Sequence, residues 1–243
     1  MDLKKRSGMM PVGENLHKDG ADTSRKSVLV TGGTVRLGAA ISEHLASLGW
    51  RVVTTSHRKD AGADIVADFA DPSGAVKCYS AALEMLGGMP PDALVNNAAL
   101  FIGEAAMIEA VNLEAPKKLT MLFAGREAPG RGAVVNILDS RVLHWQSDDV
   151  SIDPYEASKR GLLEYTRKSA AMFSETIRVN AVAPGPVFAP IGVHEAAGET
   201  LLGRPTAIDV AKAVAFLLDA ESTTGCIVPV DGGQGLLRGF SEM

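Results

Sequence analysis

From residue 27 onward the chain alternates two hydrophobic rhythms. Short runs rich in β-branched residues, nearly continuous in apolar character, occupy 27–31, 51–55, 65–67, 93–96, 133–138, 177–182 and 226–230. Most are separated by longer stretches with apolar positions three and four apart, over 36–48, 72–86, 104–125, 154–173 and 206–218. The first rhythm predicts strands and the second amphipathic helices. Strand and helix in repeated alternation predict an α/β fold: a doubly wound, mostly seven-stranded parallel sheet with helices on both faces. Continuous apolar runs fit strands covered on both sides. Residues 1–26 are polar and aperiodic and are expected to form a disordered tail. Residues 27–243 then make a single domain, which the length of 243 residues suits.

Composition narrows the partners. Charged residues are 22% of the chain and the net charge is −5. That balance supplies no basic field for nucleic acid and no polybasic patch for a membrane surface. Cys78 and Cys226 lie far apart without metal-ligand spacing, so reduced thiols and no metal are expected. No apolar run approaches the ~20 residues of a membrane span. Lys4, Lys5 and Arg6 are not followed by an apolar stretch, so a secretory signal is not expected and a cytoplasmic location is.

The first predicted strand, Val28-Leu29-Val30, runs straight into Thr31-Gly32-Gly33-Thr34-Val35-Arg36-Leu37-Gly38, and a helix follows. A glycine turn between strand and helix lets the backbone approach a pyrophosphate, which the helix N-terminus favours electrostatically. The arrangement predicts a Rossmann-type nucleotide site, with Gly32, Thr34, Arg36 and Leu37 as contacts. The second strand ends Thr54-Thr55-Ser56-His57-Arg58-Lys59. The carboxylate that would bind ribose hydroxyls in an NAD site is missing there. Arg58 can grip a 2′-phosphate with two N–H groups, beside His57, with Lys59 as a point charge and Ser56 as a hydroxyl donor. The cofactor predicted is therefore NADP(H). A solvated basic loop is the competing reading.

Tyr155 and Lys159 stand four apart, on one face of a predicted helix. A nearby ammonium stabilises a phenolate and is expected to lower the tyrosine pKa, readying it for proton transfer. The spacing alone is common by chance. In this order, however, the chain resembles the short-chain dehydrogenase/reductase family from Ser27 to Gly235. The matching pieces are the glycine turn, Asn96-Asn97-Ala98-Ala99, Asn112, Tyr155-Glu-Ala-Ser-Lys159, Arg178-Val-Asn-Ala-Val-Ala-Pro-Gly185, and Thr224-Gly225 leading to Val230-Asp231-Gly232-Gly233. The resemblance implies that Tyr155 is the general acid and that Lys159 bonds the nicotinamide ribose. Asn112 would hold a water of a proton relay. Asn96 and Ala98 would shape the cofactor floor, and Pro184, Gly185 and Val187 would border the nicotinamide. It gives Asp68, followed by Phe69, an adenine contact, although Asp68 also reads as a helix cap. It further implies a homotetramer built through the helices that begin near Glu104 and Pro154. A mobile lid is expected over 187–204, with Gly192, Gly198 and Gly203 giving it freedom.

Two departures narrow the resemblance. The family's serine after the fifth strand is replaced by Asp139, with Ser140 one residue later and an insertion over 144–152 that includes Trp145. Either residue 139 or residue 140 could occupy the serine's place. Arg36 stands where relatives have a small residue. Both features, with His57-Arg58 and Phe101, are similar to the pteridine reductase branch, which includes dihydromonapterin reductases. That similarity implies an NADPH-dependent reductase of a dihydropterin-like substrate contacted by Arg36, Phe101, Asp139 and Tyr155. A flat pterin could stack on Phe101, and Asp139 could relay a proton to Tyr155. A reductase of another carbonyl or imine, such as a 3-oxoacyl group, and a non-catalytic NADP-binding protein are the rival expectations.

Overall fold

The computed structural model describes residues 25–143, 153–188 and 200–240. Seven strands form one sheet: β1 Ser27–Val30, β2 Arg51–Ser56, β3 Ile65–Val66, β4 Ala93–Asn96, β5 Gly132–Ile137, β6 Ile177–Pro184 and β7 Ile227–Val230. Their order is β3-β2-β1-β4-β5-β6-β7 and every pairing is parallel. The chain winds outward from β1 to β3, then crosses back to lay β4 on the other side of β1. A crevice opens at that reversal, beyond the carboxyl ends of β1 and β4.

Alternate residues of the strands feed two cores. Leu29, Leu94, Val134 and Val179 face one side, against Tyr79 and Ala82 of α2 (Gly74–Met85) and Leu119 and Phe123 of α4 (Ala115–Ala124). Val28, Val30, Val95 and Val135 face the other, against Ile41 and Leu45 of α1 (Arg36–Ser47) and Val214 and Leu217 of α6 (Ala207–Asp219). A smaller cluster of Leu113, Leu138, Leu162, Ala181 and Ala183 seats α5 (Pro154–Met172) on the same sheet. Burial on both faces explains the continuous apolar runs, and the expected doubly wound architecture is the one observed.

Where the elements differ from expectation, local chemistry gives the reason. The helix expected over 104–125 is divided into α3 (Ala105–Glu109), a π-helical turn (Ala110–Glu114) and α4. Pro116 has no N–H to offer the Asn112 carbonyl four residues earlier, and its ring would strike that carbonyl. The extra residue of the π turn relieves the conflict, and Ala115 N–H donates five residues back to Ala110. Helix α2 starts two residues later than Pro72 because Asp71 folds back on the chain. Its carboxylate accepts from Ser73 N–H (2.9 Å) and Ser73 Oγ (2.8 Å), bonds that hold it at a pKa of about 2. Strand β5 stops at Ile137, and Ser140–Leu143 form a 3₁₀ turn. A seventh helix, α7 (Gln234–Phe240), was not expected from the pattern. Asp231 starts it by accepting from Gly233 N–H (2.9 Å) and Gly235 N–H (3.0 Å). Of the tail assigned to 1–26, residues 1–24 lie outside the described residues, as does the insertion over 144–152. Lys26 belongs with the sheet: its carbonyl accepts from Arg51 N–H at 2.9 Å.

A buried polar chain crosses the interior below the crevice. Asn96 Nδ2 donates to Asn136 Oδ1 (2.8 Å), Asn136 Nδ2 donates to Thr166 Oγ1 (2.9 Å), and that hydroxyl donates to the Leu162 carbonyl (2.7 Å). It ties β4 and β5 to α5 by directional bonds where apolar packing alone would allow sliding. Replacing Asn136→Ala leaves Asn96 Nδ2 with only a long bond to Thr120 Oγ1 (3.4 Å), removes the donor to the Thr166 hydroxyl, and is expected to cost about 1–3 kcal/mol. Urea denaturation reads this directly; a loss within about 0.5 kcal/mol would remove the chain from the forces that set α5.

Candidate active site

The glycine turn is shaped by what presses on it. A Cβ on Gly38 would collide with the Gly32 carbonyl oxygen, and one on Gly33 would sit 2.9 Å from Ser42 Oγ and Thr54 Cγ2. Gly32 itself is left-handed, at φ 62°. Asn97 locks the turn to the loop after β4: its Nδ2 donates to the carbonyls of Thr31 (2.9 Å) and Gly32 (3.0 Å). Thr31 Oγ1 accepts from the N–H groups of Asn97 (2.9 Å) and Ala98 (3.0 Å). The asparagine side chain that reaches the turn is therefore that of Asn97, where Asn96 was the residue expected. Strand alternation sends the Asn96 side chain inward, to Asn136 and Thr120, away from the crevice.

Helix α1 begins without a side-chain cap and with no acid in its first turn. Its first N–H groups thus face the crevice undiluted by protein carboxylates, which suits a pyrophosphate. Thr34 Oγ1 is buried with no partner among the described residues. Arg36 adopts φ 51°, the one positive φ of a non-glycine residue among those described. An L-residue is strained there by roughly 1–3 kcal/mol. The strained backbone aims a cation into the cleft, with its guanidinium 5.0 Å from the centroid of the Phe188 ring. These features fit a bound dinucleotide.

At the far end of the crevice, His57, Arg58 and Lys59 are all exposed in the turn after β2. Ser56 Oγ accepts from Arg58 N–H at 3.1 Å and orders that turn. The Arg58 guanidinium is forked onto Asp60, Nε to Oδ1 at 3.1 Å and Nη2 to Oδ2 at 3.0 Å. Both partners are exposed, so this pair is weak and open to exchange with another anion. Asp68 accepts from Ala70 N–H (2.9 Å) in a turn ahead of α2, so it is not the cap of that helix. Phe69 lies in the core beside Val53 and Ile65; among its groups only backbone could meet a cofactor.

Tyr155, Lys159 and Asp139 come together, as the spacing and the resemblance required. Helix α5 starts at Pro154 after an Asp153 cap, so Tyr155 sits in its first turn at the mouth of the cleft. Its hydroxyl donates to Asp139 Oδ2 at 3.3 Å. Asp139, and not Ser140, faces the tyrosine; the strand has already ended and Ser140 turns into the interior, 2% exposed. Lys159 is 2% exposed and donates to the Ile137 carbonyl at 2.8 Å, with its Nζ 5.7 Å from the Tyr155 ring centroid. Burial pushes this ammonium down to about 8, against the opposing pull of Asp139. The expected lowering of the Tyr155 pKa is not found. Burial, reinforced by the Asp139 carboxylate, pushes the phenol above its ordinary value, and Arg141 opposes the shift. Tyr155 is thus held as a protonated acid.

Phe101 meets Tyr155 edge to face, centroids 4.8 Å apart at 65°, and is 45% exposed. The cleft, about 720 Å³, contains Arg36, Phe101, Asp139, Tyr155, Lys159 and Gly185. Leu37, Pro184 and Val187 also border it. Asn112 stands behind the cleft. Its amide clamps Leu100 through N–H to Oδ1 (2.7 Å) and Nδ2 to O (2.9 Å), and Nδ2 also donates to Ser158 Oγ (3.1 Å). Its side chain therefore braces the Phe101 loop against α5. Asn180 is structural: its Nδ2 donates to the Thr223 carbonyl and its Oδ1 accepts from Cys226 N–H. Two residues of the site escaped sequence reading, Asn97 and Arg141. Strand alternation after Asn96 could have pointed to Asn97; no periodic signal marks Arg141. The lid expected over 187–204 lies largely outside the described residues. Among the described residues no group of His, Cys, Asp and Glu could hold a metal, and no helix is long and apolar enough to cross a membrane.

Residues 26–199 match the family model for short chain dehydrogenases. An oxidoreductase of Thermotoga maritima whose role is uncharacterised is 30% identical, over 89% of this chain and 98% of its own. The 3β-hydroxysteroid dehydrogenase 1 of Eggerthella lenta is also 30% identical, over 90% of this chain and 97% of its own. Among solved structures, FolM alternative dihydrofolate reductase 1 from Brucella canis, complexed with NADP, superposes with a TM-score of 0.77. It is 28% identical and the match covers 90% of this chain and 97% of that one.

The buried ammonium has a consequence for stability. Between about pH 8 and the ordinary lysine value of 10.5, the unfolded chain holds a proton that folded Lys159 has released. Lys159 therefore destabilises the fold at neutral pH, and that deficit fades as pH rises through this window. Lys159→Met is expected to raise the melting temperature of the ligand-free protein at pH 7, by up to about 3 kcal/mol of stability. The advantage should shrink toward pH 10.5. A variant that melts lower at pH 7 would contradict it.

Proposed function

The chain belongs to the short-chain dehydrogenase family, and on that premise we propose that it is an NADPH-dependent reductase of a dihydropterin-like substrate. One observation carries the reading: a carboxylate, Asp139, meets the hydroxyl of the acid Tyr155 beside the half-open ring of Phe101. A flat, nitrogen-rich ring can stack on Phe101, with its donor groups toward Asp139 and its basic nitrogen toward Tyr155. The FolM neighbour, named as an alternative dihydrofolate reductase in complex with NADP, supports both the substrate class and the cofactor.

Bound NADPH would supply the hydride. The N-terminal N–H groups of α1 and Thr34 would hold its pyrophosphate, and Arg58, exchanging Asp60 for the 2′-phosphate, would select the phosphorylated form. Tyr155 gives its proton to the ring nitrogen that becomes basic as the adjacent carbon is reduced. Lys159, buried beneath it, stabilises the phenolate left behind. Arg36 offers donors to substrate oxygen or to phosphate. A second reading, reduction of a ketone, is favoured by the steroid dehydrogenase among the relatives. The intact set of Tyr155, Lys159 and Asn112 speaks against a non-catalytic binder.

The proposal extends to assembly and setting. Met107, Met121 and Met172 expose apolar surface on α3, α4 and α5, which supports a homotetramer built through those helices. Two free cysteines and NADPH use suit the reducing cytoplasm.

NADPH oxidation with dihydrobiopterin, dihydromonapterin and dihydrofolate is the direct test. Turnover of at least one is expected, and silence with all three alongside activity on ketones would overturn the substrate class. Phe101→Ala should raise KM for the pterin about tenfold while leaving ketone reduction, where present, within about twofold. For the cofactor, Arg58→Ala should raise KM for NADPH by about 10- to 100-fold and that for NADH by less than about twofold. Equal effects on the two would remove Arg58 from 2′-phosphate recognition.

A further inference from the structure

One cation in the cleft is not used by the chemistry described so far. Arg141 lies in the 3₁₀ turn after β5 and folds back on the residue two places earlier. Its N–H and its Nε both donate to Asp139 Oδ1, at 2.9 and 3.2 Å, and its Nη2 donates to Oδ2 at 3.2 Å. Tyr155 donates to the same Oδ2. Of these four hydrogen bonds to the Asp139 carboxylate, three come from a single residue. The same guanidinium lies 5.3 Å from the Tyr155 ring centroid and 5.8 Å from that of Phe101.

The arrangement answers a geometric need. Asp139 follows the end of the strand, so no sheet bond fixes its backbone as the bonds of Ile137 and Leu138 are fixed. Its side chain has two free torsions and is partly open to water. A fork of two parallel N–H groups removes both freedoms at once, which a single point charge cannot do. The pair is only about a quarter exposed, with side chains 33% and 21% accessible. Stability is a poor explanation for so local a contact, because a pair two residues apart joins no distant parts of the fold.

We infer that Arg141 is a positioning residue of the proton-transfer site, holding Asp139 so that one carboxylate oxygen faces the Tyr155 hydroxyl while its own guanidinium walls the aromatic slot. By keeping Asp139 an acceptor, it makes that carboxylate a fixed mark for the donor edge of a substrate and for the hydroxyl of the acid. This rests on the reading of Tyr155 as the acid, and it holds for a pterin or for a ketone.

A double-mutant cycle on kcat tests it, run on whichever substrate of the panel the unmodified protein reduces. Failure of the pterin assignment therefore shows in the panel and leaves the cycle readable. Arg141→Met is expected to lower kcat by about 10- to 100-fold, the effect of a misplaced catalytic group. NADPH affinity, read by fluorescence, should stay within about twofold. In an Asp139→Asn background the same substitution should change kcat by less than about threefold, because the residue it acts through is already lost. Arg141→Lys should not restore kcat, and it takes the place of Met in the cycle where the Met variant does not fold. Losses that multiply across the two positions, full rescue by lysine, or a rise in substrate KM with kcat unchanged would each overturn the inference.

Discussion

Lys159 places an ammonium where β5 ends, 2% exposed and bonded to the last carbonyl of that strand. Taking a charge out of water is unfavourable unless the surroundings are fixed to receive it. The surroundings here are fixed in three ways. The polar chain through Asn96, Asn136 and Thr166 sets α5 against the sheet. The Asp153 cap starts that helix one turn above the lysine. The Asn112 amide braces the Phe101 loop and Ser158 of the same helix. A lysine pushed toward neutrality and a tyrosine held protonated sit side by side at the mouth of the cleft, and both states depend on this packing.

The crevice that this site borders comes from topology. Reversal of the winding direction between β1 and β4 leaves a gap that no helix fills. The chain closes it from below by pressing the glycine turn onto the Asn97-Ala98 loop, so tightly that a side chain at residue 38 would strike the Gly32 carbonyl. On that narrow floor the one long residue, Arg36, takes a left-handed conformation. Strain of this kind persists where surrounding structure over-determines it, and here it delivers a cation to the cleft next to an uncapped helix end. The cation and the uncapped helix end therefore share a few residues of backbone.

The short-chain family spans unlike substrates on one fold, so substrate class has to be argued from the cleft and not from the sheet. Arg36, Phe101 and Asp139 are the residues that separate this cleft from a generic one, and they act together. An aromatic slot without a carboxylate would suit many flat ketones; a carboxylate without the slot would disfavour anionic thioesters. Together with Arg141 they make a slot with one acceptor edge and two cations.

Much of this was legible in the chain. Strand and helix rhythms are set by which faces meet the core, so their periods report the layers, and the seven strands fell where the apolar runs lie. Spacing of four placed Tyr155 and Lys159 on one helical face, and the glycine turn between the first strand and helix located the crevice. Other features depend on contacts between distant residues. Sequence could not end β5 at Ile137 and so choose Asp139 over Ser140. The direction of the Tyr155 shift was misjudged because it reflects burial and a carboxylate sixteen residues away more than the lysine beside it. The role of Arg141 was invisible for the same reason. Periodicity encodes which side of an element is apolar, a local property, whereas proton affinity and side-chain direction are fixed by neighbours that only the folded chain brings within a few ångströms.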